Sequence, residues 1–136
     1  MTEAVLPPAR QRARRALRQY GAAFRWVGLV FLALGGAHLI GVPLDLPFDS
    51  YTWYAVTFLG CQMIGLSLTL GNALDGAGER GFLKAAAITL LLFAGMRIAY
   101  LMADATLRGV AGPALVAEIL LFSGIALSFI LLRSRL

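Results

Sequence analysis

Five polar side chains that could carry chemistry lie within otherwise apolar stretches of this sequence: Arg97, Glu118, His38, Tyr54 and Tyr100. An arginine beside a carboxylate can bind a polar head group, a quinone carbonyl or a small acid. A glutamate beside a histidine can transfer a proton. An arginine–carboxylate pair can equally be a structural contact that fixes how two helices pair. The residue types alone do not choose between these roles.

The counts of two residue types exclude several kinds of site. The single cysteine, Cys61, excludes an internal disulfide and a cysteine-framed metal centre, and the single histidine excludes a two-histidine metal site. Nucleotide-binding, serine-hydrolase and zinc-protease motifs are absent from the sequence. We therefore predict no metal and no bound cofactor, with a quinone as the one redox ligand that the polar residues would suit.

The composition identifies the elements that must hold these residues. The chain has 136 residues, of which 60% are hydrophobic and only 14% charged, whereas soluble domains are about half apolar and about a quarter charged. A basic N-terminal segment, residues 1–19, precedes a transmembrane domain over residues 20–133. Its four apolar spans have the length that a bilayer crossing requires, at about residues 21–41, 51–71, 82–103 and 113–132. Short loops between them predict an all-α fold, an integral membrane antiparallel four-helix bundle.

Basic residues lie almost entirely on one side of this arrangement. They are the N-terminal cluster, which includes Arg10, Arg14 and Arg18, the pair Arg80 and Lys84, and the tail residues Arg133 and Arg135. The positive-inside rule then predicts cytoplasmic N- and C-termini. The N-terminal arginines are either a flank that fixes this topology or part of an interfacial helix that binds lipid headgroups. Because the charge follows topology, we expect membrane lipids and not nucleic acid as partners.

Depth in the membrane pairs two of the charged residues. Arg97 lies seven residues before Asp104, and Glu118 lies five residues after Pro113. At 1.5 Å per residue, both are roughly 7–10 Å below the outer interface. Adjacent antiparallel helices would place the two charges at the same level, so we predict an intramembrane ion pair between Arg97 and Glu118.

The remaining polar residues predict a pocket in the outer leaflet. His38 and Tyr54 each lie about three residues from a helix end in that leaflet, and Tyr100 and Asp104 follow Arg97 on its own helical face. Intramembrane ionisable residues are often functional. The pocket would be lined by His38, Tyr54, Tyr100 and Asp104 beside the ion pair. A satisfied structural network is the equally weighted interpretation.

Small residues predict how the helices pack. Gly21, Gly28 and Gly35 recur every seven residues and form a stripe on the first span, which allows close helix approach. On the second span, one helical face holds most of the polar and small residues, and its members are Tyr54, Phe58, Cys61, Gln62, Gly65 and Thr69. We expect that face to point into the bundle.

The stretch AGMRIAYLMADATLRGVAGPALVAEILLFSGIAL resembles the second half of an uncharacterised bacterial four-helix membrane domain related to DoxX. The matching positions are Gly95, Arg97, Asp104 and Glu118, and the similarity in layout covers about residues 27–132. The resemblance implies a small bundle in the bacterial inner membrane without an established activity. DoxX itself is associated with quinone-linked and redox-stress membrane complexes, and this is an association of that relative and not an assigned role.

Two classes of function are consistent with these residues. The leading hypothesis is a non-enzymatic accessory subunit or membrane-binding module that docks on a larger membrane complex or on a second copy. The alternative is a quinone- or lipid-linked enzyme or redox component, in which Glu118 and His38 transfer protons and Arg97 holds the substrate. A transporter would need a continuous polar path, and the cytoplasmic halves of the spans are too apolar to provide one.

Overall fold

The computed structural model describes residues 6–136, and these residues form four helices and no strand. The helices are α1 (Pro8–Leu39), α2 (Ser50–Leu74), α3 (Gly78–Ala103) and α4 (Ala105–Arg135). All four are long and apolar enough to cross a membrane. The predicted fold class, an all-α membrane bundle of four helices, is therefore confirmed. The first five residues of the predicted 1–19 segment lie outside the described range.

Large apolar side chains cover the outside of the helices. Trp26 is 68% exposed, and Val110 and Leu120 are each 69% exposed. Such a surface is unfavourable in water, whereas lipid tails are as apolar as these side chains themselves. The exposed surface and the helix lengths together make this chain a multi-pass membrane protein.

The order of the helices in space follows their order in the sequence. α1 packs on α2, α2 on α3 and α3 on α4, whereas α1 and α4 barely touch. We call the end at which α1 begins and α2 ends the basic end, and the opposite end the Asp104 end. Because α1 and α4 remain apart, the outer faces of both helices are open to the surroundings.

α1 differs from the predicted first span because it continues without a break from Pro8 to Leu39. The arginine-rich segment is thus part of the same helix and not a separate interfacial helix. Alanine, leucine and arginine all favour helix, and Gly21, where a break could occur, is buried next to Leu70 of α2. Arg14 Nη2 donates to the Leu74 carbonyl at 2.6 Å, which fastens the start of α1 to the end of α2.

α4 also begins earlier than predicted, at Ala105 instead of Pro113. Asp104 is the one residue between α3 and α4, and its backbone is extended. Its Oδ1 accepts a hydrogen bond from the Leu107 amide at 2.9 Å, so it caps α4 and starts a new helix at once. Pro113 lies inside α4 and cannot donate to the Gly109 carbonyl. The loop that the sequence predicts over residues 104–112 is therefore a capped helical segment.

The predicted glycine stripe on α1 is buried, and its partners lie on α2. A Cβ added at Gly28 would lie 2.9 Å from the Gly60 carbonyl oxygen, and one added at Gly60 would lie 3.0 Å from the Gly28 carbonyl oxygen. A Cβ added at Gly35 would overlap the Thr57 hydroxyl. The two backbones approach this closely because neither helix has a side chain at the crossing.

Asp49 caps the start of α2 at the Asp104 end, outside the helix itself. Its Oδ1 accepts hydrogen bonds from the Thr52 hydroxyl at 2.7 Å and the Thr52 amide at 2.8 Å. These hydrogen bonds lower the pKa of Asp49 below its usual value of 3.8, and the bond from the Thr52 hydroxyl has a larger effect than the bond from the Thr52 amide. A depressed carboxyl pKa stabilises the fold above the unfolded-state pKa, and this stabilisation is lost as pH falls through the folded-state value.

We expect Asp49→Ala to lower the Tm of the detergent-solubilised chain near neutral pH. The difference from the wild type should shrink as pH falls below about 4, because protonated Asp49 no longer accepts these bonds as a carboxylate. Asp45→Ala is the matched control, since Asp45 is exposed in the same loop. A difference that is constant between pH 7 and pH 3 would contradict this role of the carboxylate.

Candidate functional site

Arg97 is buried in the half of α3 nearer the Asp104 end, with 5% of its surface exposed. Its Nε donates to Glu118 Oε2 on α4, and its Nη1 donates to the Phe93 carbonyl at 3.1 Å. The structure therefore brings together the two residues whose depths predict a pair. The charge of the guanidinium is met by a carboxylate and by a carbonyl oxygen one turn earlier in α3.

Four aromatic rings enclose the same guanidinium. The Arg97 Cζ lies 4.5 Å from the ring centroid of Phe122, and the other three centroids, of Tyr54, Phe58 and Phe93, are 5.6–5.8 Å away. All are within the distance at which a cation is attracted to the face of a ring. We call this group of four rings the aromatic cage.

Sequence reasoning did not identify three members of the aromatic cage. A signal exists, because Phe93 precedes Arg97 by four residues, Phe122 follows Glu118 by four, and Phe58 follows Tyr54 by four. Residues four apart lie on the same face of a helix. Three rings in register with three predicted polar residues thus indicate a common environment for the cation.

Glu118 is the member of the pair that reaches the outside of the bundle. Its side chain is 42% exposed, against 6% for Arg97. The Tyr54 hydroxyl donates to the same oxygen, Oε2, over a long 3.5 Å contact. A molecule approaching the bundle would therefore meet the carboxylate and not the guanidinium.

Tyr100 is fully buried and belongs to the core. The Tyr100 hydroxyl lies 2.8 Å from Thr57 Oγ1. The Thr57 hydroxyl in turn donates its proton to the Trp53 carbonyl at 2.9 Å. Because the Thr57 proton is used in this way, Tyr100 is the donor to Thr57. The rings of Tyr100 and Tyr54 pack edge to face with centroids 5.3 Å apart. Tyr100 therefore holds α3 on α2 and does not line an open pocket.

His38 and Asp104 lie in an open cleft of about 280 Å³ at the Asp104 end, together with Ser50. Asp104 Oδ1 accepts from the Leu107 amide and from the Ser50 hydroxyl at 3.3 Å. Asp104 Oδ2 is buried, has no hydrogen-bond donor among residues 6–136, and lies 3.8 Å from His38 Nε2. The imidazole stacks on Trp53 with ring centroids 5.0 Å apart.

The four residues predicted to line one outer-leaflet pocket therefore do not form a single site. His38 and Asp104 line the cleft, whereas Tyr54 belongs to the aromatic cage and Tyr100 to the core. The four residues do lie in the same half of the bundle, as their distances from the helix ends predict. They are not one site because the packed tyrosine rings are part of the core instead of lining a cavity.

The polar face of α2 is turned differently from the prediction. Cys61 and Gly65 point into the bundle and are buried, but Gln62 is exposed. Gln62 and Thr69 line a groove of about 320 Å³ between α2 and α3. The prediction that this whole face points inward is wrong for Gln62 and Thr69, which are both exposed. Adjacent positions on a helix are about 100° apart, and the glycine contacts fix Gly60 and Cys61 as the buried side.

The three arginines predicted at lipid headgroups have different surroundings. Arg10 is exposed, Arg14 donates to the Leu74 carbonyl, and Arg18 lines a small cavity between α1 and α2. The Arg14 guanidinium therefore links α1 to α2 at the basic end. The proximity of all three to the basic end is consistent with headgroup contact, which stays a prediction.

No cluster of three histidine, cysteine, aspartate or glutamate side chains suited to a metal ion occurs in the part of the chain that the structure describes. Comparisons of the chain with family models, with curated proteins and with solved structures give no match. The resemblance to the DoxX-related domain is therefore still a prediction from the residues quoted for it.

Proposed function

We propose that this protein is a small non-enzymatic subunit of the bacterial inner membrane that docks on another transmembrane helix through the groove between α2 and α3. The proposal rests on the side-chain amide of Gln62. It lies at the midpoint of α2, is exposed, and makes no hydrogen bond to any of residues 6–136. We infer that both termini are cytoplasmic, because the basic end carries the N-terminal arginines and the Arg133/Arg135 tail.

An unpaired amide at this depth is unfavourable because lipid tails offer no hydrogen-bond partner. Interhelical hydrogen bonds of glutamine side chains are a common means of association in membranes, worth about 0.6–2 kcal/mol each. Beside Gln62, the groove is open, and Leu66 at its edge is 49% exposed. The hydroxyls of Thr69 and Thr89 are already bonded within their own helices, so Gln62 is the group that a partner helix would satisfy.

The surroundings of Arg97 support a subunit and not an enzyme. A carboxylate, a carbonyl and the aromatic cage meet its charge, so the buried cation has a structural explanation. A substrate-holding arginine would need donors directed at open space. The partner of the groove is a larger membrane complex or a second copy of this chain.

A photo-crosslinking residue at Leu66 tests the docking surface while leaving Gln62 intact. We expect a discrete protein adduct, lost on Gln62→Leu because the groove then lacks its hydrogen-bonding group. An adduct of twice the chain mass would identify a second copy. The same probe at Leu120, which is 69% exposed near the midpoint of α4, is the matched control and should give lipid adducts. An absence of protein adducts at Leu66, or adducts that persist in Gln62→Leu, would refute docking.

A quinone- or lipid-linked component is the second candidate, and the cleft at the Asp104 end favours it. Asp104 Oδ2 is buried without a donor, and His38 lies beside it in a space that is open to a ligand. A hydroxyl or a protonated ring oxygen of a quinol could donate to this carboxylate. A stoichiometric quinone in the purified protein would support this candidate over the docking function.

A further inference from the structure

A small cavity of about 130 Å³ lies between α1 and α2 at the basic end, remote from Arg97 and from the cleft. Arg18, Gly21 and Arg25 of α1 line one side. Ser67 and Gly71 of α2 line the other, with Asp75 just beyond the end of α2. Since a water molecule takes about 30 Å³ of liquid volume, the space would hold about four waters or one group of similar size.

Ser67 is the side chain that indicates a ligand. It is 2% exposed, and its Oγ has no hydrogen-bond partner among the described residues. Four other hydroxyls of the spans donate to the carbonyl four residues earlier, those of Thr57, Thr69, Thr89 and Ser128. Ser67 does not, although the same geometry is open to any serine in a helix. Its hydroxyl is buried in the wall of the cavity, where an acceptor would satisfy it.

The charges around the cavity select an anion. Arg18 and Arg25 are seven residues apart on one face of α1, and Gly21 lies between them along the helix. Asp75 contributes one negative charge. The lining therefore carries a net charge of +1. A phosphate diester carries one negative charge, whereas an inorganic phosphate dianion would leave the site with an excess of negative charge. Guanidinium groups are the preferred partners of phosphate oxygens.

We propose that this cavity binds the phosphate of an anionic phospholipid. Arg18 and Arg25 would contact the phosphate from α1, and the Ser67 hydroxyl would donate a hydrogen bond to it from α2. Depth supports a lipid source. Gly71 lies nine residues from the midpoint of α2 at Gln62, about 13 Å along the helix, which is close to the edge of a hydrocarbon layer about 30 Å thick. Gly21 and Gly71 leave the room that a larger side chain would fill, since a Cβ at Gly71 would meet nothing within 4 Å.

Native mass spectrometry of the full chain in mild detergent tests the proposal. Delipidated protein would be mixed with phosphatidylglycerol or with zwitterionic phosphatidylcholine. We expect one phosphatidylglycerol per chain, retained in preference to phosphatidylcholine. Arg25→Gln and Ser67→Ala should each weaken this retention, by about tenfold for the arginine, because a charge-assisted hydrogen bond is lost. Arg12→Gln is the control, since Arg12 is exposed on α1 and does not line the cavity.

Added inorganic phosphate distinguishes the two possible sources of the anion. Phosphatidylglycerol that stays bound in millimolar phosphate would support the lipid proposal. Its displacement by phosphate would overturn the lipid source in favour of a soluble anion. Equal retention by the wild type, Arg25→Gln and Ser67→Ala would overturn the site altogether. Ser67→Ala removes one oxygen atom only, so it carries the test if Arg25→Gln fails to fold.

Discussion

Glu118→Ala is expected to destabilise the bundle by about 3–5 kcal/mol, and Arg97→Met by clearly less. Removal of the carboxylate leaves a guanidinium that is 5% exposed and cannot lose its charge. Removal of the arginine leaves a carboxyl group that is 42% exposed and can be neutralised by a proton. The free energy of unfolding in mixed micelles measures both effects.

The double variant Arg97→Met, Glu118→Leu completes this experiment. Replacement of a buried ion pair by apolar side chains of similar volume is often neutral or stabilising, so we expect stability within about 1 kcal/mol of the wild type or above it. Glu79→Ala is the control, because Glu79 is an exposed acidic residue of α3 without a partner in the aromatic cage. Equal losses for both single changes, or a double variant as unstable as Glu118→Ala, would contradict the structural role of the pair.

Gly35→Ala should destabilise the packing of α1 on α2 by about 1–3 kcal/mol. The added Cβ overlaps the Thr57 hydroxyl, which is held between the Trp53 carbonyl and the Tyr100 hydroxyl. Thr57 cannot turn away without breaking these two hydrogen bonds. The loss is therefore expected to exceed the small helix-propensity gain of alanine over glycine.

The adjacent glycine provides a matched control for this change. A Cβ at Gly36 would meet nothing within 4 Å, so Gly36→Ala should be neutral or should stabilise the chain by up to about 1 kcal/mol. Thermal unfolding of the two variants in the same detergent separates the steric effect from helix propensity. Similar Tm values for Gly35→Ala and Gly36→Ala would show that the two helices do not approach each other this closely.

The polar sites could be predicted only in part. The contact between Arg97 and Glu118 is predictable from the spans in the sequence, with the fourth counted from Pro113, although α4 itself begins eight residues earlier. The aromatic cage was not predicted, because aromatic rings are common in apolar spans and only their spacing of four residues from Arg97, Glu118 and Tyr54 distinguishes these rings. The rotation of α2 that exposes Gln62 could not be read from its face pattern, since Gln62 and the buried Cys61 are neighbours in the sequence.

The sequence by itself determined that the chain forms four helices long and apolar enough to cross a membrane, and which end of the helices carries the basic residues. These properties depend on composition and on the constant rise of a helix. Only the tertiary structure decided that α1 is continuous, that Asp104 alone separates α3 from α4, and that His38 and Arg97 belong to different sites. The helix boundaries depend on caps and contacts such as Asp104 with Leu107, and the rotation of each helix depends on contacts such as Gly28 with Gly60. Contacts between residues far apart in the sequence set the rotation of each helix, so the residue pattern of one helix cannot predict it.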